Sequence, residues 1–183
     1  MSGIDVDEEI VGLDGIVATG VYGEAVAPTS ADAELGDSWV DQGLTTSAGV
    51  TRTTQRNATV RRAWQKNRKL RTIVTEAAVR FQFVLVQTNR DSVELFHGVP
   101  VDPVTGSVVV DPSQDWPRIA FDLDIIDGDR VIREYVPNAR VVEVGDQVAV
   151  AGDTFGWPVT IESDYDDDID GHTVRFFSDL VGS

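Results

Sequence analysis

Three groups of residues have the type and spacing to do chemistry. Asp166, Asp168 and Asp170, followed by Gly171, repeat the first half of an EF-hand calcium loop, in which alternate carboxylates converge on the ion. The bidentate Glu that completes such a loop would fall at residue 177, which is Phe, and the flanks read as strands. A solvated acidic turn is the simpler reading. Asp122 and Asp124 stand at i, i+2 on one strand face and could in principle be the acid and base of a glycosidase. In a chain with 31 carboxylates such pairs arise by chance, and a strand carrying Phe121, Leu123 and Ile125 on one face needs polar residues on the other. His97 and His172 are far apart and belong to no nucleophile or zinc motif. The chain has no cysteine, which removes disulfides, thiolate nucleophiles and thiolate metal sites. The expectation is a protein that is not an enzyme and needs no cofactor or metal.

The distribution of charge is more informative than any of these. The 183 residues carry 15 Lys and Arg against 31 Asp and Glu, a net charge of −16, which argues against a nucleic-acid binder that releases counterions with a basic footprint. Yet residues 1–50 hold ten carboxylates and no Lys or Arg, while residues 52–90 hold ten of the fifteen bases and one carboxylate, Glu76. Charges on exposed groups are screened over roughly 8 Å at physiological salt, so blocks of opposite sign matter only if they touch. A chain segregated in this way is suited to contact between copies, the acidic block of one against the basic block of the next.

The elements that must present these blocks are mostly strands. Residues 1–14 form an acidic arm without periodicity, and 15–183 a single β domain of ordinary apolar content, 42%. Gly15–Gly23 reads as a first strand. Trp39–Thr46 and Gly49–Thr54 read as a hairpin about a Ser47-Ala48-Gly49 turn. Residues 52–72 are too charged for a core element and contain poor helix formers, which predicts a long basic loop with a short strand near Val60–Trp64. Leu70–Thr88 carries the longest strand signal, with Val79, Phe81, Phe83 and Leu85 on its apolar face. Asn89–Gly98 has a cap residue at its start and glycine past its end, which predicts a short helix ending at His97, where the dipole favours a cation.

Beyond the helix, turn residues punctuate short strands at intervals of roughly 8 to 15 residues, the rhythm of a β-sandwich or barrel. The predicted strands are Ser107–Val110, Pro117–Asp127, Arg130–Val136, Ala139–Val144, Gln147–Val150, Pro158–Ser163 and Thr173–Phe177. Asp127-Gly128 marks a hairpin, and Pro137-Asn138 a turn. Trp39 is expected in the core near the helix, Trp116 and Trp157 as loop anchors. Trp64, between Arg62 and Lys66, either anchors an interface or packs on the domain's own sheet. No apolar run approaches the roughly 18 residues of a membrane span, and the acidic start is unlike a secretory leader.

The block around the basic segment carries a resemblance. Trp39-Val40-Asp41-Gln42-Gly43-Leu44, Ala48-Gly49-Val50-Thr51, Ala63-Trp64-Gln65, Arg71-Thr72-Ile73-Val74-Thr75-Glu76 and Phe81-Gln82-Phe83-Val84-Leu85 follow one another over about sixty residues. In order and spacing they resemble the major tail tube protein of long-tailed, siphovirus-type phages of actinobacteria. Weaker similarity continues through Phe121–Asp129 and Val141–Asp146. The resemblance implies a β-sandwich with a flanking helix, hexameric rings that close an inner β-barrel, and rings stacked into the tail tube. Its partners would be other copies of itself, the tape-measure protein, the tail terminator and the distal tail or baseplate proteins. Double-stranded DNA would pass through without specific binding, no membrane would be involved, and the protein would be made and assembled in the host cytoplasm and end in the virion.

Under that reading, contacts between rings or subunits are expected from Arg52, Arg56, Arg61, Arg62, Trp64, Lys66, Arg68 and Lys69, with Asp5, Asp7, Glu8 and Glu9 of the arm as their acidic counterparts. Asp122, Asp124, Glu143 and Glu162, polar on otherwise apolar strands, are expected to face the lumen, where carboxylates would repel passing phosphates. The rival reading is a monomeric β-sandwich module binding glycan or calcium, which would explain the strands and the acidic turn but not the charge blocks.

Overall fold

The computed structural model describes residues 10–62, Trp64 and 69–180. Among them, four strands come first: β1 (Asp14–Val21), β2 (Trp39–Asp41), β3 (Thr51–Arg62) and β4 (Lys69–Leu85). Helix α1 (Arg90–His97) follows, then β5 (Ile119–Asp127), β6 (Arg130–Val144), β7 (Trp157–Ser163) and β8 (Val174–Phe177), with a 3-10 turn over Ser178–Leu180. All pairings are antiparallel, in the order β2-β1-β5-β6-β7-β4-β3, with β8 added to the first half of β6.

The sheet does not lie flat. β4 and β5 are separated by two other strands, so in a flat sheet they would be roughly 14 Å apart; instead Phe121 of β5 lies 4.8 Å from Phe81 and 6.0 Å from Phe83, ring centre to ring centre. The sheet therefore curls over its own apolar face and encloses one main core of Val17, Phe81, Phe83, Leu85, Phe121, Val136, Val159 and Ile161, which α1 caps with Leu95 and Phe96. The strand that makes the curl is β6. Its first half pairs with β5 and β8 and its second half with β7. Two irregularities bend it, one where Pro137 and Asn138 bulge out between Val136 and Ala139, the other where Val142 interrupts the register with β7.

Several expectations hold. β4 buries Val79, Phe81, Phe83 and Leu85 on one face, and α1 has Asn89 as N-cap, in a reciprocal capping box with Ser92, and Gly98 as left-handed C-cap. Gly128, at φ 61°, turns β5 into β6.

Others are corrected. The described strand residues of 52–72 do not form a loop: β3 and β4 pair from Thr51↔Gln82 out to Arg62↔Lys69. Trp39–Thr46 and Gly49–Thr54 do not pair with each other. β2 joins β1, and the residues that follow hydrogen-bond to the end of β4, through Val86 N to Leu44 O and Thr46 N to Val84 O. Pro137-Asn138 is a bulge within one strand, and neither Ser107–Val110 nor Gln147–Val150 is a strand. Trp39 is buried on the opposite face from α1, edge-on to Tyr135 at 5.9 Å. Trp157 begins a strand, while Trp116 does anchor its loop, its indole N–H donating to Phe96 O at 3.2 Å.

Candidate assembly arm and buried ion clusters

The charged residues fall into three places. The first is an arm. Beyond the Thr54↔Val79 pair, the last in contact with the core, β3 and β4 run on alone for eight more residues of β3, roughly 27 Å. Nearly every side chain there is exposed. A two-stranded hairpin without a layer beneath it is marginal in water. This one also sets like charges against each other, Arg61 opposite Arg71, which destabilises a free hairpin further. It displays Val60, Leu70 and Val74, and Trp64 near its tip is 97% exposed. Arg56, Arg61, Arg62, Trp64 and Lys69 all belong to this arm, and Asn57 donates to its one carboxylate, Glu76, at 2.6 Å. Lys66, Arg68, Asp5, Asp7, Glu8 and Glu9 lie outside the described residues.

Arg52 does not belong to the arm's free surface. It sits at the arm's root, and its Nε donates to both oxygens of Glu134 at 2.8 and 2.7 Å. Glu134 is buried and is also met by Arg175 of β8 at 3.2 Å. β3 and β8 are both open edges of the curled sheet, and this shared carboxylate tethers them to each other across the mouth of the core.

The third place is the opposite face of β5. Asp122 and Asp124, expected at a lumen, are instead buried, at 1% and 4% exposure. Arg133 of β6 lies between them: Nε and Nη2 donate to the two oxygens of Asp124 at 2.7 and 2.6 Å, and Asp122 Oδ2 is 3.3 Å from Nε. The same guanidinium reaches the carbonyls of Ser30 and Ala33, which fastens the 24–38 excursion over this face and presses Ala31 into it. The strand pattern shows which residues share a face but not that a distant segment covers it. One signal was available, since counting outward from the Gly128 turn sets Arg133 directly opposite Asp124. Burial, and then the charge of Asp124, push the Asp122 carboxyl up to about 7 against the pull of Arg133, and its Oδ1 has no hydrogen-bond partner. Glu162 pairs with Arg80 at 2.5 Å, and Glu143 is exposed beside the Val142 bulge.

The other candidate chemistry takes structural form. Asp166–Gly171 is a turn closed by backbone bonds between its ends, with the Asp168 amide donating to Asp166 Oδ1 at 3.0 Å. Among the described residues no group of three or more His, Asp or Glu side chains is placed to hold a metal, and no helix is long and apolar enough to cross a membrane. His97 is not a cationic cap. Burial lowers its pKa, and its ring packs against Phe96 and Trp157 while Gly98 N–H closes the helix on Glu94 O at 2.8 Å.

No curated protein matches the chain. The sequence profile of a phage tail tube protein family matches residues 2–178, all but the ends of its 183 residues. With that match over a curled antiparallel sheet that throws out a basic hairpin arm, the chain belongs to the phage tail tube protein family.

Proposed function

We propose that this chain is the building block of a siphovirus-type tail tube, assembling as hexameric rings that stack into a hollow conduit for genome delivery. Six sheets joined edge to edge would close an inner barrel and remove the open edges that each copy presents alone. The tape-measure protein would occupy the lumen before ejection and double-stranded DNA would cross it afterwards, with terminator and distal tail proteins at the two ends. The role is structural, not enzymatic, and places the protein in the virion after assembly in the host cytoplasm. Glu143, exposed on a strand next to a bulge, and Glu162, half-buried and paired with Arg80, are the remaining candidates for an acidic lumen wall.

The observation that carries this reading is the arm: a hairpin with no core beneath it and Arg61 opposite Arg71 is marginal alone and gains stability from an anionic surface packed on it. Residues 1–50, rich in carboxylates and free of Lys and Arg, supply such a surface on another copy, with the stretch containing Asp5, Asp7, Glu8 and Glu9 part of it. Negative-stain microscopy of the purified protein tests the proposal. Rings or tubes are expected from the natural sequence, and folded, unassembled protein from the triple variant Arg61→Glu, Arg62→Glu, Arg68→Glu. Normal tubes from that variant would refute the role of the arm.

A further inference from the structure

The outer edge of the arm lacks the safeguards that edge strands usually carry. β3 ends the sheet, and among the described residues no backbone group outside β4 pairs with it. An exposed edge is ordinarily blunted by shortness, by proline, by a bulge or by charge, because its free N–H and C=O groups recruit strands from other chains. β3 is 12 residues long and has no proline. Its pairing with β4 slips twice, but both times the extra residue, Thr75 or Leu70, belongs to β4, so the outer edge of β3 stays regular. Charge alone guards it, and of one sign: Arg56 and Arg61 on β3 and Arg71 across from it, none of them in an ion pair among the described residues. Such an edge repels a second copy of itself and favours a strand that is acidic.

Ser107-Val108-Val109-Val110-Asp111 has the composition of a strand and yet forms none within the chain. It is held out between two turns, one closed by Asp102 N–H on Ser107 O at 2.9 Å, the other by Gln114 N–H on Asp111 O at 3.1 Å. Between them Val108, Val109 and Val110 make no backbone hydrogen bond among the described residues, and Val109 and Val110 are 84% and 58% exposed. Residues 99–117 carry three aspartates and no Lys or Arg. We propose that Ser107–Asp111 of one copy adds as a strand to the Gln55–Arg61 edge of β3 in a second copy. Alternation suits the pairing: Val108 and Val110 set beside Ala58 and Val60 place Val109 and Asp111 on the face of Thr59 and Arg61. Gln147–Val150, also exposed and valine-rich, is less free, because Val150 O accepts from Asp153 N–H at 3.2 Å and the Gln147 side chain reaches Gly156 O. The inference rests on the self-assembly proposed above, in which residues 1–50 pack on the arm, and adds a strand to the arm's open edge.

The absence of cysteine makes a clean test possible. One batch of protein carries Thr59→Cys on the arm and another Val109→Cys. Mixed and assembled, the two are expected to form a dimer-sized product with a short bismaleimide, and Thr59→Cys mixed with Val148→Cys, another exposed valine, is not. Backbone pairing is read separately. Alternate amides of an added strand point at its partner, so one of Val109→Pro and Val110→Pro removes a ladder bond and should raise the protein concentration needed for assembly about tenfold. Val109→Thr, which keeps the strand preference, should assemble at the natural concentration. Unassembled, both proline variants should unfold at the natural temperature, because neither amide is bonded within the chain. The cross-link decides even if a proline variant fails to fold. Natural tubes that give no Thr59–Val109 product, or that give a Thr59–Val148 product in its place, would overturn the strand addition while leaving the tube reading intact, as would assembly indifferent to both prolines. A natural protein that stays monomeric at every concentration would overturn both.

Discussion

Arg52 at the root of the arm donates to both oxygens of Glu134, a carboxylate buried under the curl of the sheet, at 2.8 and 2.7 Å. Because Arg175 of β8 meets the same carboxylate, one acid joins two open edges, and the direction in which the arm leaves the body is set by a residue inside the body. Glu134→Gln keeps the shape and removes the charge. Since both arginines are partly exposed and can return to water, the expected loss is about 1–3 kcal/mol, read as a lower midpoint in urea unfolding. Arg52→Ala should cost less, because Arg175 remains. An unchanged midpoint for Glu134→Gln would mean that the tether does not hold the edges.

The buried Arg133 cluster predicts an unusual pH dependence. Asp122 has its carboxyl pushed up to about 7 in the folded chain, chiefly by burial, from an ordinary value of 3.8. Between those two values the folded chain holds a proton that the unfolded chain has released, so this group makes folding less favourable as pH rises from about 4 to 7. Asp122→Asn should therefore stabilise the monomer at pH 8 by about 1–3 kcal/mol and flatten the slope. Thermal unfolding at pH 5 and pH 8 checks this, and a variant no more stable than the natural protein at pH 8 would contradict it. Arg133→Met, which leaves two carboxylates buried without their cation, should cost about 3–5 kcal/mol at pH 8 and release the 30–33 segment.

Gly98 is constrained twice over. It sits at φ 70°, and a Cβ there would meet the Trp116 ring at 2.7 to 3.0 Å. Gly98→Ala should destabilise the protein by about 1–3 kcal/mol and shift the Trp116 fluorescence, because the ring has to move and its bond to Phe96 O with it. Gly106→Ala, also at positive φ but with nothing near its Cβ, isolates the backbone part and should cost about 1 kcal/mol.

Contacts between opposite charge blocks should weaken with salt. The concentration at which the protein assembles is expected to rise several-fold between about 0.05 and 0.5 M NaCl, as the screening length shortens from roughly 14 to 4 Å, while the unfolding of the monomer changes little. Light scattering across a salt series measures it. Assembly indifferent to salt would leave apolar contact as the driving force.

Those parts of the fold that rest on local pattern could be read directly from residues. β4 announced itself by alternation because it half-covers a core, and α1 by Asn89 and Gly98, because caps are made within a few residues. The arm gave the opposite impression for a physical reason: a strand pair with no core beneath has no buried face, so 55–62 shows no alternation and its charge mimics a loop. Asp122 and Asp124 were legible as a shared face, but the 24–38 cover that buries them is a long-range contact made through Arg133. Pro137 looked like a turn because proline usually interrupts a ladder, yet a bulge also accommodates it.

The central claim is that the β3–β4 arm is completed by another copy, and amide hydrogen exchange measures this most directly. In dilute monomer, residues 55–62 and 70–78 should exchange near the unprotected rate, because no layer covers the hairpin, while Phe81–Leu85 and Phe121–Leu123 stay protected. In assembled protein the same arm amides should slow by at least tenfold, together with amides of the β1–β2 edge. Tubes in which the arm exchanges as fast as it does in the monomer would contradict the account.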